Sequence, residues 1–119
     1  MALFRRMLAV SDVLVQNLIP GAMARMGLSD TDLARDFSKL VAVSIVGYGQ
    51  DTPSAAMRAH DMLVQAESGI CAVTGLPEVL SKIGVSAADI ATGVNAHAAI
   101  LEALIARGHS ARAFCAAPT

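Results

Sequence analysis

Two short apolar runs, each ending in a glycine-containing loop, constrain the fold of this chain more than any other feature. The first run, residues 12–17, has a β-branched centre with polar ends and leads to Pro20 and Gly21. The second, residues 40–46, reads LVAVSIV and leads into the glycine-rich residues 47–53. Short continuous apolar runs are typical of strands that are covered on both faces, as in a parallel sheet. We therefore predict two buried parallel strands.

The segments around these strands have helical patterns. Helices are predicted over residues 1–9, 22–26, 29–37 and 55–68, and a long one follows Ser86. Ser29 and Ser86 are the expected N-caps. Helices that alternate with strands favour right-handed crossovers in a parallel sheet. We expect an α/β fold, an incomplete Rossmann-like parallel sheet flanked by helices with a long C-terminal helix.

Composition narrows the functional classes. The length of 119 residues suits one domain. Hydrophobic residues make up 55% of the chain, which excludes a disordered chain. That fraction is high for a small domain, so we expect part of the apolar surface to be buried against a partner subunit or further chain. The nine Lys and Arg residues are scattered along the chain and are balanced by ten Asp and Glu residues. Because binding to a phosphate backbone needs clustered basic residues, nucleic acid is not an expected partner. The two cysteines have no metal-ligand spacing, so we predict no metal site and a cytoplasmic location. The most apolar stretch, residues 90–106, is too polar and too short to predict a membrane span.

The loops after the two strands are the expected binding site, because ligands of parallel α/β sheets bind beyond the carboxyl ends of the strands. Glycines let backbone N–H groups approach a phosphate, and Arg25 lies one turn into the following helix, where it can meet an anion. The alternative is that these loops are ordinary turns. Asp61 is either a helix cap or a base or nucleophile, Asp89 is either a helix cap or an acid–base group, and the neighbouring His60 can move protons. Glu78, in a Pro-containing loop, is either solvated or a nucleophile.

Five segments, taken together and in order, resemble the family III CoA-transferases. The matching segments are residues 12–28, 40–50, 60–69, 73–75 and 82–93. This family includes formyl-CoA, carnitine, succinate, itaconate and mesaconate CoA-transferases, as well as the alpha-methylacyl-CoA racemases. The resemblance implies that CoA moves from an acyl-CoA to a small carboxylic acid, through an anhydride and then a thioester on an enzyme carboxylate. It also implies a homodimer.

The resemblance further implies roles for individual residues. The coenzyme A contacts it implies are Asn17, Leu18, Ile19, Arg25, Val46, Gly47, Tyr48 and Gly49. The catalytic candidates it implies are His60, Asp61, Glu78 and Asp89. Glu78 stands where the transferases have a nucleophilic aspartate, and its extra methylene moves the attacking oxygens. In the alternative racemase-like interpretation, His60 and Asp89 exchange the α-proton of a 2-methylacyl-CoA.

The extent of the resemblance predicts the domain organisation. Residues 1–108 correspond to the middle portion of the family's large domain, and residues 109–119 form a tail that does not match. We therefore expect a fragment of a CoA-transferase, with a non-catalytic remnant as a third interpretation.

Overall fold

The computed structural model describes residues 1–49, 51–109 and 115–116. Six helices and three strands are assigned within these residues. In chain order they are α1 (Ala2–Val10), β1 (Val13–Gln16), α2 (Ala22–Arg25), α3 (Asp30–Asp36), β2 (Val41–Ser44), α4 (Asp61–Glu67), α5 (Ile70–Thr74), α6 (Ala87–His109) and β3 (Cys115–Ala116). The predicted α/β class, the parallel strands and the long C-terminal helix are confirmed. The predicted burial is confirmed for β2 but is wrong for β1, which is only partly buried and has Val15 50% exposed.

The sheet is parallel and has the order β1-β2-β3. Strands β1 and β2 pair from Val13 with Val41 to Gln16 with Ser44, so their carboxyl ends lie at the same edge. The short strand β3 pairs Cys115 with Ala42 on the other side of β2. Strand β2 is therefore the central strand, and this explains why its sequence is a continuous apolar run.

The two faces of β2 pack into two separate cores. Val41 and Val43 are buried with Ala96 and Ala103 of α6. The alternate side chain of β2, Ala42, joins a second core at the opposite face. That core also contains Leu8, Leu28, Leu33 and Leu40. The long helix α6 thus covers one face of the sheet, while α1 and α3 cover the other.

The predicted cap of α3 is confirmed. The Ser29 side chain accepts a hydrogen bond from the Asp32 backbone N–H at 3.2 Å, and the Asp32 carboxylate accepts one from the Ser29 backbone N–H at 3.1 Å. This reciprocal pair is a capping box. It fixes where the chain turns from β1 and α2 into the crossover helix α3.

Two further features differ from the sequence-based expectations. Residues 55–60 are not helical, and α4 begins only at Asp61, after an extended His60. Strand β3 was not predicted, because two residues show no readable periodicity. Most of the tail predicted over residues 109–119 lies outside the described residues.

Over the part of the chain that the structure describes, no helix has the length and apolar character to cross a membrane.

Candidate functional site

A cleft of about 300 Å³ opens at the carboxyl edge of the sheet. Four of the predicted coenzyme A contacts line it: Leu18, Ile19, Val46 and Tyr48. The ends of both strands, at Gln16 and Ser44, and the Pro20–Gly21 turn complete much of the wall. Parallel strands bring the loops that follow them to one edge, which is why these loops, distant in sequence, share a cleft. The expectation that these loops bind a ligand, rather than being ordinary turns, stays a prediction.

The other predicted contacts lie beside this cleft. Asn17 is exposed in the first loop, and Gly47 and Gly49 are exposed in the second. The Arg25 guanidinium folds back over the turn before its helix, with Nη1 donating to the Pro20 carbonyl oxygen at 3.5 Å. Gly21 has φ +76°, a conformation that favours glycine, and a Cβ there would lie 3.1 Å from that Nη1 atom. A positive charge is thus held at the rim of the cleft.

The loop after β2 is tied to helix α4. The Tyr48 hydroxyl, at the cleft wall, donates a hydrogen bond of 2.8 Å to the Glu67 carboxylate near the end of α4. This hydrogen bond raises the pKa of Tyr48 above its ordinary value, because it stabilises the protonated phenol. The aromatic side chain is therefore fixed in its neutral, donating form.

The Asp61 carboxylate, one of the predicted catalytic candidates, caps helix α6. Its Oδ1 atom accepts hydrogen bonds from the backbone N–H groups of Ala88, at 2.8 Å, and Asp89, at 3.4 Å. These are the second and third residues of α6, whose N–H groups have no partner within the helix. Ser86 directly precedes α6, as expected of an N-cap, and its carbonyl oxygen accepts from the Ile90 N–H at 2.9 Å. The side-chain acceptor at this helix start is, however, the Asp61 carboxylate of α4. The expectation that Asp61 caps the helix it opens is wrong, because α4 has no side-chain cap and the Asp61 carboxylate caps α6 instead.

The fold brings two of the four catalytic candidates together, Asp61 and Asp89, and a third, His60, adjoins Asp61 in the sequence. His60 immediately precedes Asp61, and the Asp61 carboxylate contacts the backbone of Asp89. The side chains of His60 and Asp89 are exposed, whereas that of Asp61 is partly buried. Glu78 is exposed in the turn closed by the pairing of Leu76 with Val79, and no described residue hydrogen-bonds its carboxylate. His60, Asp61 and Asp89, hereafter the acid cluster, therefore form the candidate reacting group.

Sequence reasoning missed the role of Gln65. This residue is the one buried polar or charged side chain among the described residues, and its Nε2 atom donates to the Asp61 Oδ2 atom at 2.8 Å. The available signal was a glutamine inside an otherwise apolar helical segment, since buried polar side chains need partners. Glu67, the partner of Tyr48, had no comparable signal.

Comparisons with known proteins agree with the resemblance seen in the sequence. The family model described as CoA-transferase family III matches residues 1–113. The succinyl-CoA:glutarate CoA-transferase of Mus musculus is 35% identical over 105 residues, which are 87% of this chain and 24% of that protein. The acetyl-CoA:oxalate CoA-transferase of Acetobacter aceti is 39% identical over 108 residues, which are 89% of this chain and 28% of that protein.

A solved structure shows the same fold. The crystal structure of a CAIB/BAIF family protein from Brucella suis superposes with a TM-score of 0.91 at 35% identity, covering 96% of this chain and 30% of that one. The chain thus spans 24% to 30% of the length of these relatives. Because the family model matches most of its length, the chain belongs to CoA-transferase family III.

Proposed function

We propose that this chain supplies the coenzyme A cleft and the reacting carboxylate of an enzyme that moves CoA from an acyl-CoA to a small carboxylic acid. The main observation in support of this proposal is that the loops after β1 and β2 share one cleft, with Arg25 at its rim. The cleft offers apolar side chains and a guanidinium to a ligand that has both an apolar part and phosphates. Transferases of this kind are the relatives named above.

Asp89 is the proposed nucleophile. The Asp61 carboxylate is already engaged by two backbone N–H groups and by Gln65, so attack by its oxygens would cost the cap of α6. Asp89 is exposed in the first turn of a 23-residue helix, where a negative charge is favoured. Glu78 lies in the turn closed by Leu76 and Val79, outside a helix, so its carboxylate gains no favourable helix N-terminus there.

The proposed reaction proceeds in balanced steps. An Asp89 oxygen attacks the thioester carbonyl carbon, the C–S bond breaks, and the CoA thiolate leaves a mixed anhydride. The thiolate then attacks the Asp89 carbonyl carbon and releases the first acid as a carboxylate, which leaves CoA joined to Asp89 as a thioester. The acceptor carboxylate attacks this thioester, and the returning thiolate takes the new acyl group, so that Asp89 is regenerated.

The racemase-like alternative rests on one observation of its own. His60 and Asp89 both belong to the acid cluster, connected through Asp61. A histidine and an aspartate on opposite sides of a 2-methylacyl-CoA can remove and return its α-proton. Exchange of deuterium from solvent into C2 of a branched acyl-CoA, without movement of CoA, would favour this activity over transfer.

A trapping experiment tests the proposed function. The protein is incubated with succinyl-CoA and an acceptor acid, quenched with hydroxylamine, and digested for mass spectrometry. Since hydroxylamine converts an enzyme-bound thioester into a hydroxamate, we expect that mass increment on the peptide that contains Asp89. An increment on the peptide with Asp61 or Glu78 would reassign the nucleophile. Absence of any increment and of transfer would favour the non-catalytic remnant.

We also propose a homodimer for the assembled enzyme. Ile90, Val94 and Leu101 are large exposed apolar side chains on one face of α6, at helical spacing. An apolar stripe of this kind is stabilised when it packs against another surface. Sedimentation equilibrium of the protein is expected to give the mass of two chains, and Val94→Lys is expected to shift it to one. A wild-type mass of one chain would contradict the proposal.

A further inference from the structure

Gln65 lies at the centre of a hydrogen-bond network that joins three segments of the chain. Its side chain is fully buried. The Oε1 atom accepts from the Ile83 backbone N–H at 2.9 Å, and the Nε2 atom donates to the Val85 carbonyl oxygen at 3.2 Å and to Asp61 Oδ2 at 2.8 Å. Helix α4, which contains both Gln65 and Asp61, is therefore joined to the loop before α6 by one amide group, and Asp61 extends the connection to α6 itself.

This network continues to the proposed nucleophile. Asp61 uses Oδ2 for Gln65 and Oδ1 for the N–H groups of Ala88 and Asp89. A carboxylate is planar, so an interaction that fixes one oxygen also fixes the direction of the other. The Gln65 amide thereby determines where Asp61 meets α6, and the Ile83 and Val85 contacts hold the chain that enters that helix.

We propose that Gln65 is a positioning residue, whose side-chain amide holds the Asp61 carboxylate against the first turn of α6 and so orients Asp89. The inference rests on the proposed role of Asp89. Gln65 touches neither the cleft nor the reacting atoms, so its contribution is geometric. A misplacement of a reacting group by about 1 Å costs on the order of 100-fold in rate.

Reversal of hydrogen-bond polarity tests this role. In Gln65→Glu, the side chain keeps an acceptor for the Ile83 N–H but loses the N–H group that donates to Asp61 and to the Val85 carbonyl oxygen, and two carboxyl groups then face each other. In the double variant, Gln65→Glu with Asp61→Asn, the new amide at residue 61 donates to the new carboxylate at residue 65. The oxygen of that amide still accepts from the Ala88 backbone N–H. Asn95→Asp makes the same chemical change at an exposed position of α6 and serves as the control.

Two measurements are made on each variant of the protein. The first is kcat and KM for transfer from succinyl-CoA, and the second is hydrogen exchange of the Ala88, Asp89 and Val43 amides. For Gln65→Glu we expect kcat to fall about 100-fold with KM within twofold, and faster exchange at Ala88 and Asp89 but not at Val43. The double variant is expected to regain at least about tenfold in kcat and the lost protection.

Other outcomes would overturn the proposal. Unchanged exchange at Ala88 and Asp89 in Gln65→Glu would show that Gln65 does not hold the cap. Loss of protection at Val43 as well would indicate a general structural role, as would a double variant no better than the single one. If the wild type forms no adduct at Asp89, the proposed function fails, and the exchange measurements still decide whether Gln65 positions that turn.

Discussion

Gly47 and Ala59 are in such close contact that a Cβ atom at residue 47 would lie 1.9 Å from the Cβ of Ala59. Real side chains do not approach this closely, so the position accepts only glycine without movement of the backbone. Gly47 belongs to the loop after β2, whereas Ala59 directly precedes His60. The contact therefore joins the loop beside the cleft to the segment that begins the acid cluster.

Replacing Gly47 is expected to destabilise the protein. Gly47→Ala forces the two segments apart, and overpacking of this kind costs about 1–3 kcal/mol in the free energy of unfolding. Urea unfolding followed by circular dichroism measures the loss. Gly93→Ala is the control, because a Cβ there meets nothing within 4 Å and alanine favours the helix by about 0.5–1 kcal/mol. Equal stability of Gly47→Ala and wild type would contradict the contact.

Arg25 is expected to strengthen coenzyme A binding through its charge at the cleft rim. Arg25→Ala should raise the dissociation constant for CoA about tenfold, or ~1.4 kcal/mol, and weaken its dependence on salt concentration. Calorimetric titration at two salt concentrations measures both effects. Arg6→Ala removes an exposed arginine from α1 and should leave binding unchanged. An equal loss in both variants would assign the effect to net charge alone.

Tyr48 is expected to ionise only above pH 10, since its hydroxyl is bonded to the Glu67 carboxylate. A pKa that is higher in the folded than in the unfolded protein means that the interaction stabilises the fold below about pH 10 and is lost as the pH rises through the folded-state pKa. The chain has one tyrosine and no tryptophan, so absorbance at alkaline pH reports Tyr48 alone.

Glu67→Gln tests the cause of that shift. Removing the carboxylate is expected to move the titration midpoint of Tyr48 down towards its ordinary value of 10.0. In denaturant, the wild type and the variant should have the same titration midpoint, because the hydrogen bond exists only in the folded protein. A folded-state midpoint that does not respond to Glu67→Gln would show that the hydrogen bond is not formed in solution.

Ser29 is expected to stabilise α3 through its cap. Ser29→Ala removes the acceptor for the Asp32 N–H and should cost about 1 kcal/mol in the free energy of unfolding. Ser29→Gly should cost only a few tenths of a kcal/mol, because glycine is itself accepted at N-caps, about as well as threonine. Thermal unfolding of both variants measures the difference. If Ser29→Ala is as stable as the wild type, the side-chain oxygen does not cap the helix.

Much of the site framework was predictable because its signals are local. The apolar runs of β1 and β2, the glycine-containing loops after them and the Ser29 cap each depend on residues close together in sequence. The rule that parallel strands end at one edge then places Leu18 and Tyr48 in one cleft. Helical spacing failed at residues 55–60, where the contact of Ala59 with Gly47 takes precedence over local preference.

The sequence by itself determined the α/β class, the two central strands, the glycine-containing loops after them and the family resemblance, since periodicity and turn chemistry act over a few residues. Only the tertiary structure decided that Asp61 of α4 caps α6 and that Gln65 of α4 holds the loop before α6. These relationships join residues 18 to 28 positions apart. A side-chain hydrogen bond over such a separation leaves no pattern in the chain, because it depends on how the segments pack rather than on how each helix forms.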